Sequence, residues 1–153
     1  MKISVIIIAS AFVAALASCR TVDSGERGFR DRPAAERDGM LKNSERLGDG
    51  ILRALKSGDY PLLLSNLPGE LSEKMTEKDF HTSCRNFKEK FGEINDFRLL
   101  TALDTPAFGN LIWVVTFARR GTDGAEIRRQ LLFRLVTMEV DGKVQVVSMG
   151  FKK

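Results

Sequence analysis

The chain has 153 residues, with 24 Lys and Arg against 20 Asp and Glu and a formal net charge of +4. A positive charge this small, spread over the whole chain, is not the basic patch of a nucleic-acid-binding domain, so we expect no nucleic-acid partner. Hydrophobic residues make up 43% of the chain and include ten Phe, which is enough for one packed domain.

The N-terminus carries an apolar segment that ends in a cysteine. After Lys2, the 16 residues from Ile3 to Ser18 include no charged side chain. That run is shorter than the about 20 apolar residues of a membrane-spanning helix, but it suits the hydrophobic region of a signal peptide. The sequence Leu16-Ala17-Ser18-Cys19 at its end resembles the lipobox of bacterial lipoproteins. This resemblance implies cleavage before Cys19 and attachment of lipid to its sulfur.

Two other interpretations of this segment remain. Ala15-Leu16-Ala17 is also an A-x-A site, and ordinary cleavage after Ala17 would release a soluble exported protein. The third interpretation is an uncleaved anchor. The lipoprotein hypothesis predicts two or three acyl chains at Cys19, because one chain binds a bilayer only marginally. It places the protein in the cell envelope, on the periplasmic side of the outer membrane.

The predicted mature chain, which begins at Cys19, divides into a linker and one domain. Residues 20–38 alternate Arg with Asp or Glu and contain almost nothing apolar, so they are predicted to be a flexible, solvated linker. Residues 39–153 are predicted to form a single domain. Because lipid occupies Cys19, Cys84 has no partner for an internal disulfide, and the core must hold the domain together.

Three helices are predicted before any strand. The first runs over about 39–57, and Gly48 and Gly50 within it lower helix stability, which close packing against a neighbour would explain. Asp59 caps a short second helix, and Thr76 caps a third. Apolar residues of the third helix recur at steps of four, three and four and form one stripe: Phe80, Cys84, Phe87 and Phe91.

From Ile94 the apolar period changes from that of a helix to that of a strand. Strands are predicted at about 94–104, 110–120, 126–140 and 143–152. Between the last two, Asp141-Gly142 is a signal for a two-residue type I′ hairpin. Since short turns join antiparallel neighbours, the four strands are predicted to form a meander.

This order of elements resembles the nuclear-transport-factor-two-like, or cystatin-like, fold. Ser57-Gly58-Asp59-Tyr60 is similar to the joint that follows the first helix in bacterial members, and Lys90-Phe91-Gly92 to the lead into their sheet. The resemblance implies an α+β domain in which N-terminal helices pack on a curved four-stranded antiparallel sheet to form a cone. Members include isomerases, dehydratases and binding modules, so the fold does not decide the function.

No catalytic, metal or cofactor site is predicted. The resemblance implies that an enzyme would carry an Asp, His or Tyr set in the cone, whereas His81, the one histidine, is predicted to face away from the Phe stripe. His81 and Cys84 could form an imidazole–thiolate pair, but no third group orients them, and a cysteine in an apolar stripe usually packs as a small hydrophobe. Two such residues are too few for a metal site.

Two surfaces are candidate binding sites. The first is a set of arginines on the second hairpin, which could bind lipid phosphates or could instead be a solvated end that discourages edge pairing: Arg119, Arg120, Arg128 and Arg129. The second is an apolar outer sheet face, predicted from the register of the last hairpin, which favours a homodimer or an envelope protein partner through Leu132, Val136, Val147, Met149 and Phe151. A β-bulge near Val147 would move the last strand's residues to the other face.

The predicted function is that of a lipid-anchored envelope protein whose domain binds a partner without catalysis. The alternative is a small-molecule carrier or an enzyme that uses the interior of the cone. A large pocket with convergent polar groups would favour the alternative. A cone filled by Phe side chains and Trp113 would favour the interaction module.

Overall fold

A computed structural model describes residues 34–105 and 108–152. The predicted signal peptide, Cys19 and the linker as far as residue 33 lie outside the described residues. In the described part, helices precede an antiparallel sheet, so the predicted α+β architecture is confirmed. The elements are α1 (Ala34–Ser57), α2 (Tyr60–Ser65), α3 (Gly69–Lys74), α4 (Glu77–Phe91), β1 (Glu93–Asp104), β2 (Gly109–Arg120), β3 (Glu126–Val140) and β4 (Lys143–Lys152).

The helix starts agree with the predicted capping residues, with two differences elsewhere. Asp59 and Thr76 each accept a hydrogen bond from the backbone N–H three residues on, at 2.9 and 3.2 Å, so both N-caps are confirmed. α1 begins at Ala34, so residues 34–38 of the predicted linker are helical. α3 was not predicted because its six residues are too few to show an apolar period.

The sheet is the predicted meander, in the order β1-β2-β3-β4 with antiparallel neighbours. Each strand begins within one residue of its predicted position. Asp141 and Gly142 have φ values of 50° and 72°, and a type I′ turn requires positive φ at both positions. The predicted hairpin between β3 and β4 is therefore confirmed.

The predicted register of β4 is wrong beyond its middle. Val136 pairs with Ser148 instead of with Val147, because Val147 is the extra residue of a β-bulge. A shift of one residue moves every following side chain to the opposite face of the sheet. Met149 and Phe151 consequently lie on the inner face, beneath the helices, and not on the outer face.

α1 crosses the inner face of the sheet and runs in the same direction as β2. Near its start, Met40 reaches the first residue of β2, since a Cβ on Gly109 would lie 3.5 Å from Met40 Cε. Near its C-terminus, Lys56 Nζ donates a hydrogen bond of 2.6 Å to the carbonyl of Asn95, close to the start of β1. The start of α1 therefore lies beside the β1–β2 and β3–β4 turns, at what we name the near end of the sheet. The β2–β3 turn marks the far end.

Candidate functional site

Aromatic side chains fill the space between the helices and the sheet, which is the interior of the predicted cone. Trp113 is 0% exposed, and its ring lies directly against Gly48, where a Cβ atom would overlap it. The ring of Phe133 lies beside it, with the two centroids 6.0 Å apart. Trp113 Nε1 donates a hydrogen bond of 3.0 Å to Asp49 Oδ1, so the one polar atom of the indole has a partner. The missing side chain of Gly48 thus makes room for the ring, as the sequence predicted.

Phenylalanines continue this packing towards the far end. The centroid of Phe87, on α4, lies 4.9 Å from that of Phe151 on β4, and that of Phe91 lies 5.7 Å from that of Phe117 on β2. Phe151 also contacts Phe133, with centroids 5.2 Å apart. Phe151, which was predicted to belong to an outer interface, is therefore part of the core.

Two buried hydroxyl groups lie in the interior, one on α1 and the other on β3. Ser44 and Thr137 are both fully buried, with their hydroxyl oxygens 2.8 Å apart. Ser44 Oγ also donates a hydrogen bond of 2.8 Å to the carbonyl of Met40. Among the described residues, every buried side-chain nitrogen or oxygen has a hydrogen-bond partner. These hydroxyls therefore join α1 to β3 and leave no unpaired polar atom for a ligand.

Two depressions lie at the surface of the domain and not inside the cone. One of about 630 Å³ lies at the far end, where Gly92, Ala118 and Arg120 contribute to its lining. The other, of about 270 Å³, lies between Pro68 and Gln145, beside the start of β4. Neither is the enclosed pocket with convergent polar groups that a small-molecule carrier or enzyme would need.

His81 and Cys84 face different surroundings. His81 is exposed, and its Nε2 lies 3.5 Å from Glu77 Oε1, one turn away on α4. Cys84 is half-buried against the core, and this burial raises the pKa of its thiol. A nucleophilic cysteine needs a lowered pKa, so the surroundings of Cys84 suit a packing residue. In the part of the chain that the structure describes, no three His, Cys, Asp or Glu side chains are placed to hold a metal ion.

The four predicted anion-binding arginines point to both faces of the sheet at the far end. Arg119 and Arg129 share the inner face with Phe117, whereas Arg120 and Arg128 lie on the outer face. Arg128 Nη2 lies 3.3 Å from Glu126 Oε2, so one of the outer pair has an acidic neighbour. The structure brings the arginines together as two pairs on opposite faces and not as one four-residue site.

An ion pair joins α4 to β1 at the same end. Lys88 Nζ lies 2.6 Å from Glu93 Oε1, across the turn at Gly92. The hydrogen bond from Lys88, and then its charge, lower the pKa of the Glu93 carboxyl. Both side chains are exposed, so the pair contributes little to stability.

The outer face of the sheet does not carry the five-residue apolar surface that was predicted. Because of the β-bulge, only Leu132, Val136 and Val147 of the five predicted residues avoid the inner face. Arg134 lies between Leu132 and Val136 on this face, and its Nε donates a hydrogen bond of 3.1 Å to Asn110 Oδ1. A fixed polar pair therefore interrupts the remaining apolar residues.

Sequence reasoning missed two exposed apolar side chains at the near end, which we name the apolar tip: Leu103 and Phe108. Their exposed fractions are 57% and 39%, and they flank the β1–β2 turn. Leu100, which is 49% exposed, is the extra residue of a β-bulge further along β1, level with Ile112 and Trp113. Thr105 fixes this turn, since its backbone N–H donates to the Phe108 carbonyl at 2.9 Å and its Oγ1 accepts from the Phe108 N–H at 3.2 Å. The sequence signal that could have revealed the apolar tip is Phe108, a large aromatic residue within a predicted turn.

The sequence matches no protein-family model and no curated protein. Among solved structures, a SEC-C motif-containing protein from Rhodopseudomonas palustris is similar with 18% identity over 74% of this chain and 81% of that chain, at a TM-score of 0.47. The NTF2-like design Rd1NTF2_04 with a long sheet is similar with 13% identity over 71% of this chain and 99% of that chain, at a TM-score of 0.49.

A third similar structure, from Xanthomonas campestris, is a protein proposed to be a calcium/calmodulin-dependent protein kinase II association domain. It has 17% identity over 70% of this chain and 82% of that chain, at a TM-score of 0.38. Since all three TM-scores lie below 0.5, these similarities carry no inference about what the chain binds. Of the helices in the described part, none has both the length and the apolar character that crossing a bilayer requires.

Proposed function

We propose that the protein is a lipid-anchored component of a bacterial cell envelope and that its domain is a non-catalytic interaction module. The observation that carries the anchor is the sequence Leu16-Ala17-Ser18-Cys19 at the end of an uncharged run. Position, apolar run and cysteine coincide there as bacterial lipoprotein processing requires. Two or three acyl chains on Cys19 hold the domain permanently at the periplasmic side of the outer membrane.

The filled interior supports an interaction module over a carrier or enzyme. A ligand in the cone would have to displace Trp113, whose ring is buried against Gly48 and hydrogen-bonded to Asp49. Displacement would remove the packing of the ring and its hydrogen bond to Asp49, both of which stabilise the fold. Binding through the outside of the domain has no such cost.

The anchor is tested by changing Cys19 in the full-length chain, expressed in a bacterium supplied with radiolabelled palmitate. We expect Cys19→Ser to lose the label and to move from the membrane fraction to the soluble fraction. Cys84→Ala is the matched control, because it removes the other cysteine, and it keeps both the label and the membrane location. A Cys19→Ser protein that still carries palmitate in the membrane fraction would overturn the proposal.

A further inference from the structure

The near end combines the apolar tip with the point where the described chain begins. The side chain of Met40 lies next to the first residue of β2, Gly109, which directly follows Phe108 of the tip. The six residues of α1 before Met40 extend about 9 Å further in the same direction, at about 1.5 Å per residue. The chain that leads back to Cys19 therefore leaves the domain beside the β1–β2 turn.

The length of that connection favours contact between the near end and the membrane. Cys19 precedes Ala34 by 15 residues, which span at most about 50 Å even when fully extended. β2 runs from the near end to the far end, and its 12 residues span about 36 Å. Placing the far end on the bilayer would lift the start of α1 about that far from the surface and would use most of the connection. Placing the near end there needs almost no extension.

The chemistry of the two ends points the same way. Leu and Phe side chains enter the boundary between lipid head groups and acyl chains favourably. At the near end, Leu103 and Phe108 are exposed on a turn that Thr105 holds in place. At the far end, Arg119 and Arg120 could bind lipid phosphates, but their guanidinium groups are strongly disfavoured in the acyl region that Leu and Phe side chains enter.

We infer that the apolar tip inserts into the bilayer surface that holds the Cys19 lipid, so that the domain stands on the membrane through its near end. This inference rests on the proposed function, because the acyl chains at Cys19 keep the tip at the surface. The partner that the tip fits is the head-group and upper acyl region of a phospholipid leaflet. The arginine end is then directed away from the bilayer, and it and the rest of the outer sheet face remain open to envelope partners.

The experiment uses the full-length lipidated chain in vesicles of phosphatidylethanolamine and phosphatidylglycerol. Phe108→Trp places a fluorescent reporter on the tip, and Thr122→Trp places the matched reporter in the β2–β3 turn at the far end. Trp113 is buried, so its emission in the unaltered chain gives a constant background. With lipids brominated high on the acyl chain, we expect the added emission of Phe108→Trp to fall, because a ring inserted about 5–10 Å into the interface lies near the bromine atoms. Thr122→Trp keeps its emission.

The outcomes separate this inference from the anchor itself. If the protein floats with the vesicles and bromine quenches neither reporter, the domain is anchored and the inference is overturned. A blue-shifted but unquenched reporter at position 108 means that protein and not lipid covers the tip, which also overturns it. A chain that does not float with the vesicles contradicts the proposed function, and this inference falls with it. Leu103→Trp, at the other side of the turn, is the second reporter if Phe108→Trp fails to fold.

Discussion

The two ends of the sheet expose hairpin turns whose side chains have opposite chemical character. At the far end, Arg119, Arg120, Arg128 and Arg129 occupy both faces, and charged hairpin ends of this kind discourage edge pairing. At the near end, the apolar tip faces outward although nothing in the described chain covers Leu103 or Phe108. Since soluble proteins usually surround a hairpin turn with polar residues, the difference indicates that the two ends meet different surroundings.

Local sequence accounts for this difference. The far turn is Gly121-Thr122-Asp123-Gly124, in which Asp123 Oδ1 accepts a hydrogen bond of 3.1 Å from the Ala125 N–H and Gly124 has a φ of 81°. The near turn ends with a bulky aromatic residue in place of a glycine, and Thr105 provides its hydrogen bonds. Each turn is thus held by hydrogen bonds to its own polar residue. The near turn also carries an exposed aromatic side chain, Phe108, which those hydrogen bonds do not require.

The contrast between the two ends depends on α1, which places the start of the described chain beside the near end. Because α1 packs on the sheet at Gly48, a substitution there should disturb this arrangement. We expect Gly48→Ala to destabilise the protein by about 2–3 kcal/mol, because the new Cβ overlaps the buried ring of Trp113 and overpacked cores have no room to relax. The measurement is the urea midpoint of unfolding of the full-length chain. This is the largest effect that we predict.

Gly39→Ala, on the same helix, is the matched control. A Cβ at Gly39 meets nothing within 4 Å, so only helix propensity changes, and the protein should gain up to about 1 kcal/mol. Equal urea midpoints for Gly48→Ala and the unaltered protein would show that the ring of Trp113 is not packed tightly against α1. That result would contradict an interior filled by aromatic side chains.

Much of the fold could be predicted from sequence because its signals are local. The caps at Asp59 and Thr76, the turn at Asp141-Gly142 and the strand limits all depend on a few neighbouring residues. Close packing at Gly48 was also predicted, because a glycine inside a helix costs stability that something must offset.

The candidate surfaces were harder to predict because they depend on pairing between strands. A β-bulge near Val147 was the alternative to the predicted register, but a run of alternating residues gives no signal that selects it. The bulge moved Met149 and Phe151 from the predicted outer interface to the core. Likewise, the bulge at Leu100 in β1 turned one residue of an apolar strand outward, and nothing in the local sequence predicts it. The lipidation at Cys19 stays a prediction, since that residue lies outside the described chain.

A smaller effect is expected at the ion pair between Lys88 and Glu93, which lies at the far end. We expect Glu93 to titrate below the ordinary range of a glutamate, because Lys88 donates a hydrogen bond to its carboxylate and carries the opposite charge. With a lowered folded-state pKa, the stabilisation is present above the unfolded pKa of about 4.3 and is lost as the pH falls through the folded value. Because both groups are exposed, the change in the pKa is measured by NMR titration and not through stability.

Lys88→Met should return the Glu93 pKa to the ordinary range. Lys90→Met is the matched control on the same helix, since Lys90 lies over the ring of Phe91 and not beside Glu93. Identical Glu93 titrations in the unaltered chain and in Lys88→Met would contradict the ion pair.

The orientation of the domain on the membrane is the central claim, and energy transfer to the bilayer surface tests it most directly. Lys143→Cys at the near end and Thr122→Cys at the far end, each made in the full-length lipidated chain with Cys84→Ala, accept the same donor dye at exposed positions. Acceptor dyes are placed on the lipid head groups. Our account predicts strong transfer from position 143 and weak transfer from position 122, which lies farther from the bilayer by about the length of β2, some 36 Å. Equal transfer from both positions, or stronger transfer from position 122, would contradict it.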